Sequence, residues 1–254
     1  MSLPCLDILG VKISVVNLHS ARDIINDWIK TFHKTYVCVV PVSTVVACVE
    51  NKEYLGIINQ AGMATPDGMP LVWLGKLSGH KAIGRTYGAD LMLAVCDWGQ
   101  RQGYRHYLYG GDPLMKERLL ENLKKEFPAI KIAGDFSPSL RAVGQLEEAS
   151  VIEGINAANP DILWVGLGSP KQDYWMHQHR NKLNVPVMLG VGAAFDFIAG
   201  MKPQAPRWMQ RSGLEWFFRL CCEPKRLWKR YLIGNSKFVW YLLRNNLGKR
   251  CDKI

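Results

Sequence analysis

Runs of consecutive apolar residues alternate along this chain with stretches in which apolar residues recur every three or four positions. The first pattern predicts buried strands and the second predicts amphipathic helices. The predicted strands are 36–42, 63–65, 106–109, 130–133, 161–166 and 187–191. The predicted helices are 43–50 with Ser43 as its cap, a second stretch to residue 60, 69–77, 88–102, 113–127, 145–158 and 170–180.

Strands that are apolar at nearly every position are typical of a parallel sheet with helices on both faces. We therefore predict an α/β, Rossmann-like domain for residues 1–201. Ligands bind such sheets beyond the carboxyl ends of the strands. The loops that follow the predicted strands are accordingly the first place to look for function.

The charge of the chain is concentrated in its last part. Residues 202–254 hold 13 of the 32 Lys and Arg but only three of the 22 Asp and Glu, so this segment accounts for the whole net charge of +10. It also holds four of the nine tryptophans. Residues Leu227, Trp228, Tyr231 and Leu232 are predicted to share one apolar helix face.

We predict that residues 202–254 form a basic helical appendage. Cations mixed with aromatic residues suit an anionic membrane surface, where the rings settle at headgroup depth. Two alternatives are a helix packed on its own domain with a solvated basic face, and a nucleic-acid-binding segment. Nucleic acid is disfavoured because the chain has no recognisable nucleic-acid-binding motif.

Other composition features narrow the class of protein. Residues 1–10 lack the basic and apolar runs of a signal peptide, and no apolar run is long enough to predict a membrane-spanning helix. The seven cysteines are odd in number and have no C-x-x-C spacing, which favours free thiols in a reducing compartment such as the cytoplasm. The six histidines are scattered, so we expect no metal site.

Three glycine-bearing loops follow predicted strands, at 110–113, 166–172 and 190–196. A strand, a glycine turn and a helix start together present backbone N–H groups that suit a diphosphate. None of the loops is a P-loop, and none is a G-x-G-x-x-G with a downstream ribose acid. These absences argue against a nicotinamide-dependent oxidoreductase, which we keep as an alternative hypothesis.

Several charged residues near these loops have two interpretations. Asp67 lies in a Pro-Asp-Gly turn, where an aspartate commonly serves the turn itself. Arg85 is either a phosphate ligand or an exposed loop charge. Asp90 is expected to pair with Arg85 or to cap the following helix. The chain has no D-x-D motif, so any leaving diphosphate would be stabilised by arginines and backbone dipoles.

The order of these motifs resembles the WecG/TagA/CpsF family of glycosyltransferases, glycosyltransferase family 26. The matching motifs are Thr65-Pro66-Asp67-Gly68, Arg85-x-x-Gly88-x-Asp90-Leu91, Gly110-Gly111, Gly166-x-Gly168-Ser169-Pro170-Lys171-Gln172, Gly190-Val191-Gly192-x-x-Phe195-Asp196, Ala205-Pro206, Gly213-Leu214-Glu215-Trp216-x-x-Arg219-Leu220 and Pro224-x-Arg226-Leu227-Trp228-x-Arg230-Tyr231. The chain departs from the family at Val40 and Val42, where Thr-x-Asn is common, and at Asp173, where Glu is usual.

The resemblance implies inverting, metal-independent transfer of a sugar from UDP to a sugar on a polyprenyl diphosphate, in cell-surface polysaccharide synthesis. The donor sugar would be of the N-acetylmannosamine, its uronic acid, or glucose type. The enzyme would be a hexosyltransferase that lies peripherally on the inner face of the cell membrane. Self-association through the face that the appendage covers is left open.

The resemblance also implies roles for individual residues. Asp67 would be the general base and Arg85 would neutralise the diphosphate. The residues expected to bind substrate are Ser43, Thr44, Gly110, Gly111, Gly168, Lys171, Gln172, Asp196, Arg219, Arg226 and Arg230.

Overall fold

The computed structural model describes residues 3–138 and 145–251, without the side chains of 145–148 and 246–251. Within these residues the main sheet has six parallel strands in the order β4-β3-β8-β7-β5-β6. Its strands are β3 (Thr35–Val40), β4 (Met63–Pro66), β5 (Arg105–Gly110), β6 (Lys131–Phe136), β7 (Ile162–Gly166) and β8 (Val187–Gly190). A separate antiparallel pair is formed by β1 (Cys5–Ile8) and β2 (Val11–Ser14).

Helices cover both faces of the main sheet. They are α1 (Leu18–Lys30), α2 (Val42–Glu50), α3 (Lys52–Asn59), α4 (Met69–Leu77), α5 (Gly88–Gln102), α6 (Pro113–Glu126), α7 (Gln145–Ala158), α8 (Lys171–His179) and α9 (Ala194–Ile198). One apolar cluster joins the sheet to α2, α3, α7 and α8, and a second joins it to α1, α5, α6 and α9. The predicted α/β fold with helices on both faces is confirmed.

The sequence pattern predicted the strands of the main sheet but missed four elements. These are the strands β1 and β2 and the helices α1 and α9. The strands of the pair have only four residues each, too few for a clear period. Helix α1 has its own start signal, because the side chain of Asn17 accepts hydrogen bonds from the backbone N–H groups of His19 and Ser20.

The predicted cap of α2 is wrong. Pro41 occupies the cap position, no side chain caps the helix, and Ser43 lies one residue inside it. The strand before it ends at Val40 rather than Val42, because proline lacks the N–H group that would continue a ladder. Ser43 is thereby free to make a different contact, described below.

The appendage is helical, as predicted. It consists of α10 (Arg207–Arg211), α11 (Glu215–Cys222), α12 (Pro224–Trp228), a π-helical segment (Lys229–Ile233) and α13 (Gly234–Cys251). Helix α13 packs on α2, where Lys237 Nζ lies 2.6 Å from Glu50 Oε1 and Phe238 is buried in the core. The boundary between residues 201 and 202 stays a prediction.

The single apolar face predicted for the appendage is wrong. Leu227 is buried and Tyr231 faces inward, whereas Trp228 and Leu232 are exposed. Successive residues in a helix are about 100° apart. Leu227 and Tyr231 therefore form one stripe, which faces the body, and Trp228 and Leu232 form a second, exposed stripe. Over residues 3–138 and 145–251, no helix has both the length and the apolar character needed to cross a membrane.

Candidate active site

A cavity of about 500 Å³ lies where strands β3 and β4 end. The loops after these strands and helix α4 form one wall, and the appendage forms the other. The appendage thus covers the carboxyl edge of the sheet, which is the edge where parallel α/β sheets bind ligands.

Asp67 lies in the wall of this cavity. It follows β4 directly, and its backbone N–H donates to the carbonyl of Val40 in the neighbouring strand at 3.1 Å. The residue is partly exposed and lines the cavity. Burial raises the pKa of its carboxyl, an effect opposed by the nearby charges of Arg85, Arg219 and Arg230.

Arg85 ties Asp67 to the appendage. Its Nε donates to the backbone carbonyl of Asp67 at 2.8 Å, and its Nη1 donates to Gln210 Oε1 at 3.2 Å. Its Nη2 forms an ion pair with Glu215, and its guanidinium lies 4.5 Å from the centre of the Tyr87 ring. The structure thus places Arg85 beside Asp67, while its predicted role toward a diphosphate stays a prediction.

The three appendage arginines that were predicted to bind substrate fall into two groups. Arg219 and Arg230 line the cavity, and Arg230 Nε donates to Ser43 Oγ at 3.0 Å. Arg226 is exposed, pairs with Glu223 and does not line the cavity. The family resemblance implies a substrate-binding role for all three arginines, but in the structure Arg219 and Arg230 line the cavity and Arg226 does not.

The charges of this site do not cancel. The carboxylates of Asp67 and Glu215 face the guanidinium groups of Arg85, Arg219 and Arg230. With both carboxylates ionised, these five groups carry a net charge of +1. A partly desolvated cluster of this kind favours binding of an anion.

The predicted glycine loops lie at the same edge of the sheet. After β5 the chain turns toward β6, and after β7 it turns the opposite way toward β8, so the two loops diverge at a topological switch point. Gly110 has φ +116°, and a Cβ there would lie 2.8 Å from the carbonyl carbon of Gly166. Gly111 has φ +73°, a left-handed backbone conformation. Both positions of this turn therefore favour glycine.

The residues predicted beside these loops have different surroundings. Gln172 is buried, and its side-chain oxygen accepts from the backbone N–H of Gly168 at 3.1 Å, so it shapes the loop from within. Lys171 is exposed at the start of α8. Asp196 pairs with Lys202 at 2.9 Å. Their roles toward a substrate stay predictions.

A cation–π contact joins Arg219 of the cavity wall to Phe197, which follows the glycine loop at 190–196. The Arg219 guanidinium lies 5.4 Å from the Phe197 ring centre, and that ring lies 6.0 Å from Tyr87. Two strands separate β4 from β7, which places Asp67 about 14 Å from the Gly166 turn at the usual spacing of about 4.8 Å per strand.

Three further predictions concern residues near β3. Thr44 is buried and does not line the cavity, whereas Ser43 does. Val42 lines the cavity as an apolar residue, and Val40 is fully buried. Ser43 is thus the side chain that brings a hydroxyl to the end of β3.

Asp173 and Asp90 both make structural contacts. Asp173 is buried and accepts a hydrogen bond from the Tyr54 hydroxyl at 2.6 Å, well inside the fold. Asp90 pairs with Arg207 of the appendage at 2.9 Å. The expectation that Asp90 pairs with Arg85 or caps α5 is therefore wrong, because Arg85 turns toward Glu215 and α5 has no side-chain cap.

A comparison with known protein families decides the family of this chain. The model of the Glycosyl transferase WecG/TagA/CpsF family matches residues 6–252. The chain belongs to this family. The predicted enzyme class, a hexosyltransferase, is confirmed.

Curated relatives in the WecG/TagA/CpsF family carry a specific name, N-acetylglucosaminyldiphosphoundecaprenol N-acetyl-beta-D-mannosaminyltransferase. The protein of Bacillus subtilis (strain 168) is 29% identical over 205 residues, covering 80% of this chain and 77% of the relative. That of Bacillus spizizenii is 30% identical over 196 residues, covering 77% and 74%. That of Staphylococcus aureus (strain NCTC 8325) is 29% identical over 189 residues, covering 74% and 70%.

The sequence patterns give no role to Glu215, although this residue lies within the WecG/TagA/CpsF motifs. Its side chain is mostly buried beside Arg85, and burial raises the pKa of its carboxyl. The available signal was the presence of an acid in a segment otherwise rich in Lys and Arg. Gln210, which donates to the Ala205 carbonyl at 2.8 Å and accepts from Arg85, was missed for lack of any such signal.

Proposed function

We propose that this glycosyltransferase transfers an N-acetylmannosamine-type sugar from UDP to the sugar of a polyprenyl-diphosphate-linked acceptor. The uronic acid of N-acetylmannosamine and a glucose-type sugar are the other donor sugars that the assay below compares. The observation that carries the proposal is the position of Asp67, in the wall of a cavity and near three guanidinium groups. The names of the curated relatives support this donor sugar and an N-acetylglucosaminyl diphosphate lipid as acceptor.

Asp67 acts as the general base in this reaction. Its carboxylate takes the proton from an acceptor hydroxyl, and the oxygen of that hydroxyl attacks the anomeric carbon of the donor sugar. The bond between the anomeric carbon and the diphosphate oxygen breaks, and UDP leaves with the bonding electrons. A positioned base typically accelerates such a step by about 10²- to 10⁴-fold.

Cations of the appendage stabilise the leaving diphosphate. Arg219 and Arg230 supply positive charge at the cavity, and Arg85 is held beside Asp67. Preorganised donors of this kind stabilise charge as it develops in the transition state. The loops that contain Gly110 and Gly168 lie farther along the same edge of the sheet and would contact the nucleotide.

Inversion and metal independence belong to the same proposal. The relatives' names specify a beta-linked product, which requires inversion when the sugar leaves an alpha-linked nucleotide. Inversion takes place in a single displacement, in which one carboxylate acts as the base. Asp67 fits that role, because the neighbouring carboxylate of Glu215 is paired with Arg85. In the described part of the chain, no cluster of three or more His, Cys, Asp or Glu has the arrangement of a metal site.

Contact with the inner face of the cell membrane completes the proposal. Exposed large apolar side chains concentrate in the appendage, among exposed lysines and arginines; they include Trp208, Phe217, Trp228, Leu232, Ile233, Trp240 and Leu243. Rings and cations in this mixture suit anionic lipid headgroups. Nucleic acid is not part of the proposal, and self-association stays open.

A reconstituted assay tests the function. The full chain is mixed with anionic vesicles that carry the lipid-linked N-acetylglucosaminyl diphosphate and with UDP-N-acetylmannosamine, its uronic acid or UDP-glucose in turn, with and without EDTA. We expect UDP release and a disaccharide lipid with one of these donors, no loss of rate in EDTA, and flotation of the protein with the vesicles. Stabilisation by NAD but not by UDP in a thermal-shift control, with no lipid product, would favour the oxidoreductase instead.

The pH profile reports the state of Asp67. The base works when deprotonated, so activity is lost as the pH falls through its pKa, which burial raises above the ordinary aspartate range of about 3.9. Arg219 lowers that pKa, so Arg219→Gln is expected to move the acid limb of kcat/KM to higher pH. Arg226→Gln, at an exposed residue outside the cavity, serves as the control. An acid limb that stays in place or moves to lower pH in Arg219→Gln contradicts the assignment.

A further inference from the structure

The cavity at Asp67 has two halves of different chemistry. One part of its lining holds Asp67 and the guanidinium groups described above. The other part comes from α4 and α13 and consists of large apolar side chains, among them Trp73, Leu74, Leu77, Phe238, Val239 and Leu242. We call this second part the apolar groove.

Both walls of the apolar groove are held in place by packing. Phe238 and Leu242 of α13 pack against the core cluster beneath α2. Trp73 of α4 is in close contact with the appendage, since a Cβ at Gly213 would lie 2.8 Å from its ring. The groove is therefore built by the docking of the appendage on the body, rather than by either part alone.

The outer end of the groove is open. Leu77 is 85% exposed, Val239 is 53% exposed and Trp73 is 46% exposed. Large apolar side chains gathered at one opening are typical of a site that binds an apolar partner. The exposed Trp240 and Leu243 of α13 extend the apolar surface beyond the groove.

We propose that the apolar groove binds the first isoprene units of the lipid-linked acceptor, next to its diphosphate. This inference rests on the proposed function. The groove starts beside Asp67, where the acceptor hydroxyl must lie in the proposed reaction, so its occupant is the apolar chain that the acceptor sugar carries through its diphosphate. A peptide fits less well, because its backbone amides would lose hydrogen bonds to water against apolar walls.

The size of the cavity limits how much of the acceptor enters. Its volume of about 500 Å³ lies in the range of sites for small organic molecules, about 300–1,000 Å³. It accommodates part of the acceptor only, and the rest of a long chain would leave past Leu77 and Val239. The acceptor would thus be drawn partly out of the bilayer while its sugar reaches Asp67.

A series of short acceptors tests the proposal in the absence of membranes. N-acetylglucosaminyl diphosphate esters of one, two and four isoprene units are assayed with the full chain and the active UDP-sugar. We expect KM to fall about tenfold or more as the chain lengthens across the groove, since even one methylene in an apolar pocket changes specificity about tenfold or more. In Leu77→Asp and Val239→Asp the one-unit and four-unit acceptors are expected to have the same KM.

Leu243→Asp is the matched control, because Leu243 is an exposed apolar residue of α13 that does not line the cavity. It is expected to keep the dependence on chain length. Equal KM values for all three acceptors in the unmodified protein would overturn the proposal that the groove binds isoprene units, while leaving the proposed function intact. The absence of transfer to any acceptor would overturn the proposed function. A change of oligomeric state in Leu77→Asp, with the chain-length dependence retained, would make the groove an interface between copies and overturn the proposal.

Discussion

Asp67→Asn is expected to lower the rate of sugar transfer by about 10²- to 10⁴-fold while UDP binding is retained. Asparagine has nearly the same shape as aspartate, so it preserves the packing at the end of β4, but it cannot accept a proton at neutral pH. The backbone hydrogen bond from residue 67 to Val40 does not depend on the side chain. The measurement is kcat with saturating donor, beside the dissociation constant for UDP.

The control for this substitution is Asp97→Asn, in an exposed carboxylate of α5 that pairs with Arg101. It is expected to leave transfer and UDP binding unchanged, because surface ion pairs contribute little. Full activity in Asp67→Asn would refute the role of Asp67 as base. A parallel loss of UDP binding would show instead that this carboxylate organises the donor site.

The double substitution Arg219→Gln with Arg230→Gln is expected to lower transfer by about 100-fold or more. Hydrogen bonds to charged groups contribute about 1.5–3 kcal/mol each, and about 1.4 kcal/mol corresponds to a tenfold change in rate. Both arginines line the cavity, and Arg230 also donates to Ser43. The loss should appear in kcat with lipid-linked acceptor, because the charge on the diphosphate develops in the transition state.

Arg226→Gln offers a matched comparison on the same basic segment. Arg226 is exposed and pairs with Glu223 three residues away, so its substitution is expected to change transfer by less than about threefold. The family resemblance grouped Arg226 with the two cavity arginines. A loss in Arg226→Gln as large as that of the double variant would show that general positive charge, rather than position at the cavity, is what the reaction needs.

The docking of the appendage is the structural condition for both effects. Arg85 contacts Glu215 and Gln210, Asp90 contacts Arg207, and Glu50 contacts Lys237. These ion pairs and the hydrogen bond to Gln210 join residues far apart in sequence across one interface. The cavity, the charge around Asp67 and the apolar groove all depend on that interface.

The amino-acid sequence by itself determined the class of fold and the order of its motifs. Apolar strand runs and helical periodicity have short repeats that a local pattern reveals, so all six strands of the parallel sheet were found within the described residues. The glycine turns were also predictable, because a left-handed backbone or a close approach such as that of Gly110 to Gly166 leaves glycine as the residue that fits. Asp67 was singled out through the family motifs.

Only the tertiary structure decided which charged residues meet at Asp67. Arg219 and Arg226 look alike in sequence, yet one lines the cavity and the other pairs with Glu223 in solvent. The partner of Arg85 is Glu215, 130 residues away, rather than the nearby Asp90. The apolar groove likewise arises from α4 and α13 together, because pairing between distant segments depends on how whole elements pack, and a local pattern does not encode this.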